Sequence, residues 1–166
     1  MALKAIKNCC QGTLHPVGES GTDKDIKLDY VNTFNIAQSE DVLTARADGK
    51  SKITMSANKS MTFTVDMEVF DDNGLALLLG GTIENGTGKI TVGDTPDKVY
   101  EYKGVFTIVT EDGTTEVKEA TMAKVKPQIP SDFGTSSLDL STYSLTFDVL
   151  ADGDGNFLTL DKKNSI

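Results

Sequence analysis

Tryptophan is absent from this chain of 166 residues, histidine and arginine occur once each, as His15 and Arg46, and the only two cysteines are neighbours, Cys9 and Cys10. Each shortage removes a class of chemistry. Adjacent cysteines do not bridge, because disulfide geometry does not fit a trans peptide between them. With no second Cys or His pair nearby, a zinc or other soft-ligand metal site has no ligand set, and Cys9-Cys10 reads as a free, structurally incidental pair. A lone His15 in a glycine-punctuated stretch, with no G-x-S-x-G, H-E-x-x-H or C-x-x-C pattern, leaves no hydrolase or metalloprotease reading.

A single Arg and a formal net charge of -9 argue against wrapping nucleic acid, whose phosphates are held by clustered Lys and Arg. The same sign suits a surface past which DNA slides without sticking. The longest apolar run, Leu75 to Leu79 with its flanks, falls short of the roughly 20 residues that span a bilayer, so no membrane insertion is expected. Met1 to Gly12 carries no apolar stretch of signal-peptide length, which places synthesis in the cytoplasm.

What is present is the composition of one globular domain over 1-166, with 38% hydrophobic and 25% charged residues. Residues 1-25 read as an N-terminal arm after a short strand at Leu3 to Lys7, punctuated by Gly12, Pro16, Gly18 and Gly21. Lys27 to Ile36 alternates, with Leu28, Tyr30, Asn32, Phe34 and Ile36 on one face. Gln38 to Ser60 is rich in Ser, Ala, Asp, Lys and Asn. It reads as a long loop or loose hairpin around Asp48-Gly49, with Val42, Leu43, Ile53 and Met55 as its scattered apolar residues and contact with a neighbour as its expected task.

Met61 to Phe70 is the clearest strand, Met61, Phe63, Val65, Met67 and Val69 alternating with Thr62, Thr64, Asp66 and Glu68. Asp71-Asp72-Asn73 offers N-cap chemistry before a Leu-rich run that Gly80-Gly81 ends, predicting a short helix over Asn73 to Leu79. Gly86 to Pro96 reads as turns with at most a short strand at Lys89 to Val92. Lys98 to Val109 and Thr115 to Val125 form a hairpin about Asp112-Gly113, with Tyr100, Tyr102, Phe106 and Ile108 on one face. Lys126 to Ser137 is expected to be a loop. Tyr143 to Leu150 is the last strong strand, and a turn at Asp152 to Gly155 leads into Asn156 to Leu160. Six or seven strands and one short helix predict a mainly β chain, an antiparallel β-sandwich or partly closed barrel.

Motifs that mimic sites are better explained as turns. Gly88-Lys89 lacks a phosphate loop's first glycine, since residue 83 is Ile, and Ile90 stands where Ser or Thr is required. Asp152, Asp154 and Asn156 alternate like calcium ligands, but Phe157 occupies the position that needs Gly, and a plain β-turn uses the same residues. Paired carboxylates such as Asp71-Asp72 and Asp66/Glu68 have no apolar surroundings to raise a pKa and read as a solvated face.

Two segments resemble the tail tube proteins of long-tailed bacteriophages: Phe63 to Gly80, FTVDMEVFDDNGLALLLG, and Ser137 to Leu160, SLDLSTYSLTFDVLADGDGNFLTL, together about a quarter of the chain. The resemblance implies the tail tube fold, six copies per ring, rings stacked into a hollow tube in the virion tail, and a lumen that conducts double-stranded DNA without binding it specifically. It implies the chain itself as chief partner, other tail proteins such as the tape measure and terminator as further ones, no cofactor and no catalysis. Residues 38-60 would then make contacts between subunits or rings. Asp66, Glu68 and Asp148, on polar strand faces, would line the channel and repel DNA. The alternative reading is a monomeric carbohydrate- or surface-binding β-sandwich module; the absence of Trp and the four Tyr, two of them on one apolar strand face, weigh against its aromatic platforms.

Overall fold

A computed structural model describes residues 4–28, 31–47, 49–68, 71–84, 86–94, 98–130 and 142–162, with the side chains at 6–11, 47, 51 and 52 left aside. Strands β1 (Lys4–Pro16), β2 (Ile26–Lys27), β3 (Val31–Ala47) and β4 (Lys50–Met67) precede helix α1 (Asp72–Leu79). Then come β5 (Thr82–Ile83), β6 (Ile90–Thr91), β7 (Tyr100–Thr110), β8 (Thr115–Gln128), β9 (Tyr143–Leu150) and β10 (Thr159–Lys162). Among the described residues the chain is mainly antiparallel β with one short helix, as its sequence patterns predict.

The main sheet runs β2-β1-β7-β8-β9-β4-β3, and β10 adds to β8 beside β9. Its apolar face is set by strict alternation: Met61, Phe63, Val65 and Met67 of β4 lie inward with Leu145, Phe147 and Val149 of β9. Phe63 and Phe147 are direct cross-strand partners and stack at 4.5 Å between centroids. The sheet curls until edge strand β3 meets the far side, where Phe34 packs against Tyr102 at 5.8 Å and Phe106 at 6.0 Å from β7. No ladder joins β3 to β1 or β2 among the described residues, so the sheet is not closed. Fully burying an aromatic or aliphatic side chain is worth about 1.5–3 kcal/mol, and this shared interior is where the fold gains its stability.

Helix α1 forms where the sequence places it. The Asp71 carboxylate accepts from the Gly74 amide at 2.8 Å, satisfying one of the unpaired donors of the first turn. Gly80 ends the helix in the left-handed region, and the amides of Gly80 and Gly81 bond Leu77 and Ala76 carbonyls at 3.1 and 2.8 Å. Leu77 and Leu78 then join the core beneath.

Several expectations need correction. Residues 4–16 are not a free arm: β1 pairs with β7 along almost its whole length. Gly12 signals close packing here rather than a break, because it faces Gly104 across the ladder and the Tyr102 ring lies over both, where a Cβ on either would collide with it. Of the two readings of residues 38–60, the hairpin about Asp48-Gly49 is the one that forms and the loop is not: β3 and β4 continue as a regular paired ribbon about a turn at Gly49. Both faces of that ribbon are wet, so alternation carries no signal there.

The segment Lys27 to Ile36 is likewise not one continuous strand. A register shift between Val31 and Thr33 sends Val31 to the core and leaves Asn32 exposed, while Tyr30 lies outside the described residues. Strand β8 continues through Pro127, opposite Phe147, past the expected start of a loop at Lys126. The last strand is Thr159–Lys162 rather than Asn156 to Leu160. Leu3, Val69, Phe70, residues 95–97 and the stretch 131–141, which holds Ser137 to Leu140, lie outside the described residues.

Candidate functional site

The ribbon is the part of the molecule that the fold does not use for itself. Strand β9 accompanies β4 only from Met61 to Met67, so residues 39–60 run on as two strands with no third beside them among the described residues. At ~3.3 Å per residue the projection reaches about 25 Å. Its root is held by the Ser39 and Ser60 hydroxyls at 2.6 Å and by Asn58 Nδ2 donating to Asp41 Oδ2 at 3.2 Å. Asn58 has a φ of 52° where three β3 residues, Ser39 to Asp41, span against four of β4, Ala57 to Ser60, a bulge that bends the ribbon as it leaves the sheet.

Beyond the bulge, Leu43 opposes Met55 and Ala45 opposes Ile53, so Leu43, Ile53 and Met55 share one face. They are 54%, 61% and 58% exposed. Val42, 61% exposed, sits opposite Ser56 on the reverse face, apart from the other three. A two-stranded hairpin is marginal alone, and an apolar stripe facing water on such an element marks a contact surface.

The three acidic positions occupy the polar side of the sheet with different surroundings. Asp66 is half-buried and accepts hydrogen bonds from the hydroxyls of Ser144 on β9 and Thr33 on β3. Those two bonds hold its pKa below the ordinary carboxylate value. Asp148 stands opposite Lys126 in the β8–β9 ladder and accepts from Gln128 Nε2 at 2.7 Å. Glu68 lies just past β4, exposed, taking a long bond from Thr142 Oγ1 at 3.4 Å.

Asp66 and Asp148 thus share one sheet face but are individually tied to neighbouring strands. Between them lie Thr62, Thr64, Thr146 and Ser144, with the Thr64 and Thr146 hydroxyls 3.0 Å apart. This is a hydroxyl face punctuated by acids rather than an acidic wall. Thr33, Ser144 and Gln128 are the residues that sequence reasoning missed. The Ser/Thr alternation at 142, 144 and 146 against 62 and 64 was its visible signal, but the pairing depended on register.

Other polar groups serve local structure. Asp152 Oδ1 accepts from the amides of Asp154 and Asn156 at 2.9 and 2.8 Å, which lowers its pKa and commits the carboxylate to its own turn. No group of three or more His, Cys, Asp or Glu that could hold a metal occurs among the described residues. His15 faces two acceptors, Asp25 Oδ1 at 2.6 Å from Nδ1 and the Glu19 carbonyl at 3.2 Å from Nε2, and these raise its pKa. A cleft of about 210 Å³ between α1 and the sheet is lined by Pro16, Ile26, Leu77 and Tyr100 with Lys24 and Lys98; among the described residues no acid, histidine or cysteine lines it. No described helix is long and apolar enough to cross a membrane. No protein-family model matches the chain, and no curated protein matches it.

Proposed function

We propose that this chain is the repeating subunit of a hollow phage tail tube, with no enzymatic activity of its own. The observation that carries the reading is the ribbon: a projection of paired strands whose apolar face of Leu43, Ile53 and Met55 is left more than half exposed by the described residues. A side chain of this kind gains ~1.5–3 kcal/mol on full burial, so contact with a second copy is the natural way to satisfy the ribbon. The curled sheet supplies the wall of each subunit in the manner of the tail tube fold, and six subunits close into a ring that stacks.

On this reading the hydroxyl-rich face bearing Asp66, Glu68 and Asp148 lines the channel. Duplex DNA passes along it by hydration and repulsion, without the clustered cations that would arrest it. The tape measure would occupy the same channel before ejection and the terminator would cap the end ring. The protein would reside in the virion tail after synthesis in the host cytoplasm.

Sedimentation velocity over a concentration series tests the assembly. A rising share of large species with increasing concentration is expected for the wild-type chain. A single slow boundary at the monomer position at every concentration would overturn the proposal.

A further inference from the structure

The loop of residues 17–25, which joins β1 to β2, is fixed at both ends. The Val17 amide donates to the Val99 carbonyl at 2.9 Å, Pro16 pairs with Tyr100, and Ile26 pairs with Leu14 across the β1–β2 ladder. Between those ends Gly18 and Gly21 have φ of 85° and 92°, and a Cβ on either would meet nothing within 4 Å. Two glycines in open space give the segment room to swing once its tether goes.

The tether is His15. Its Nδ1 faces Asp25 Oδ1 at 2.6 Å and its Nε2 faces the Glu19 carbonyl at 3.2 Å, so one ring holds both halves of the loop. Carboxylate and carbonyl are both acceptors, and only the imidazolium carries a proton on each nitrogen. A neutral ring, in either tautomer, turns a lone pair toward one of the two oxygens.

The charges around the ring favour the imidazolium. Besides Asp25, the Glu19 carboxylate acts on it from the loop and Glu101 from β7, opposite in the β1–β7 ladder. The cations at hand are engaged with those acids: Lys24 pairs with Glu19, on which Lys98 also acts, and Lys103 pairs with Glu101 at 2.7 Å. The bond to Asp25 first, and that to the Glu19 carbonyl second, raise the pKa of the ring.

We infer that residues 18–25 form a proton-operated latch: the doubly protonated His15 ring ties Glu19 and Asp25 down, and loss of one proton frees the loop while its ends stay in their ladders. Lys24 travels with the loop, whereas Pro16 and Ile26 do not. All three line the cleft beneath α1, so the latch sets whether Lys24 stands in it. The device belongs to the single chain and operates whether or not copies assemble.

A nitroxide spin label tests it. In a background of Cys9→Ser and Cys10→Ser, checked for native circular dichroism, the label is placed on Thr22→Cys in the loop or on Lys27→Cys in β2, both exposed positions. Its mobility in dilute protein is followed from about pH 5.5 to about pH 8.5, and the ring is titrated by NMR over the same range, where the chain's one histidine gives unambiguous signals. The ratio of mobile to immobile label at 22 is expected to rise about tenfold, the worth of one charged hydrogen bond, with the midpoint of the ring titration, while the label at 27 stays unchanged. His15→Gln should abolish the step, and Asp25→Asn should move step and ring titration together to lower pH.

A label at 22 that keeps one mobility while the ring titrates, or a step that survives in His15→Gln, overturns the latch. So does a step in Asp25→Asn whose midpoint departs from that of the ring. Equal loosening at 22 and 27 overturns it in favour of the strands themselves parting.

Discussion

Tyr102 shows how much a single ring can decide. Its side chain lies over Gly12 and Gly104, which face each other on β1 and β7, and it also touches Phe34 and Phe63. Gly104→Ala should therefore cost about 1–3 kcal/mol through overpacking, measured by urea denaturation. Adding Tyr102→Leu should make the double variant less damaged than the sum of the two changes, because the collision is removed with the ring. The sequence placed Tyr102 correctly on an apolar face, yet Gly12 read as punctuation. A glycine that yields to an aromatic ring and one that turns the chain look alike until the opposite strand is known.

His15 carries a second residue-scale consequence. Asp25 and the Glu19 carbonyl both accept from the ring, and Glu101 stands opposite in the β1–β7 ladder, so the folded state favours the imidazolium. Its contribution is fully present below the unfolded pKa of about 6.5 and is lost as pH rises through the higher folded value. Melting temperature should fall across that window for the wild type. In His15→Gln that slope should flatten, and an unchanged slope would assign the pH dependence elsewhere.

Among the elements, helix α1 and the ribbon stand at opposite ends of legibility. The helix was readable because its signals are local: an Asp71 cap, a Leu run and a terminal glycine act within a few residues of one another. Asp71→Ala should lower stability by about 1 kcal/mol in a thermal melt, the usual loss of a cap. The ribbon was readable only as a loop or a loose hairpin about Asp48-Gly49, and not as regular strands in register, since its pairing of Ser, Thr, Asn and Lys across two wet faces leaves no apolar period. Its four large apolar residues were nevertheless visible as outliers in a polar stretch. The paired substitution Leu43→Lys with Met55→Glu, which sets opposite charges across the ladder, should leave folding stability within about 0.5 kcal/mol, because both side chains are mostly exposed, while suppressing assembly. Substantial loss of stability in the monomer would mean that the stripe packs within its own chain.

For the whole molecule, the mainly antiparallel β class followed from strict alternation in β4, β7 and β9, where one face is dry. The curl of the sheet and the contact of Phe34 with Tyr102 and Phe106 did not, since they depend on non-local register and twist. The same limit applies to the polar face. Sequence identified Asp66, Glu68 and Asp148 as wet, and only the ladders reveal that the first accepts from Thr33 and Ser144 while the third faces Lys126.

Assembly is a property at this largest scale, and electron microscopy of negatively stained protein reads it directly. Wild-type chain and the Leu43→Lys, Met55→Glu variant should be imaged side by side across one concentration series. Rings or hollow tubes from the wild type, and small uniform particles from the variant, are the expected pair of images. Uniform small particles from both at every concentration, or equal tubes from both, would contradict the central role given to the ribbon.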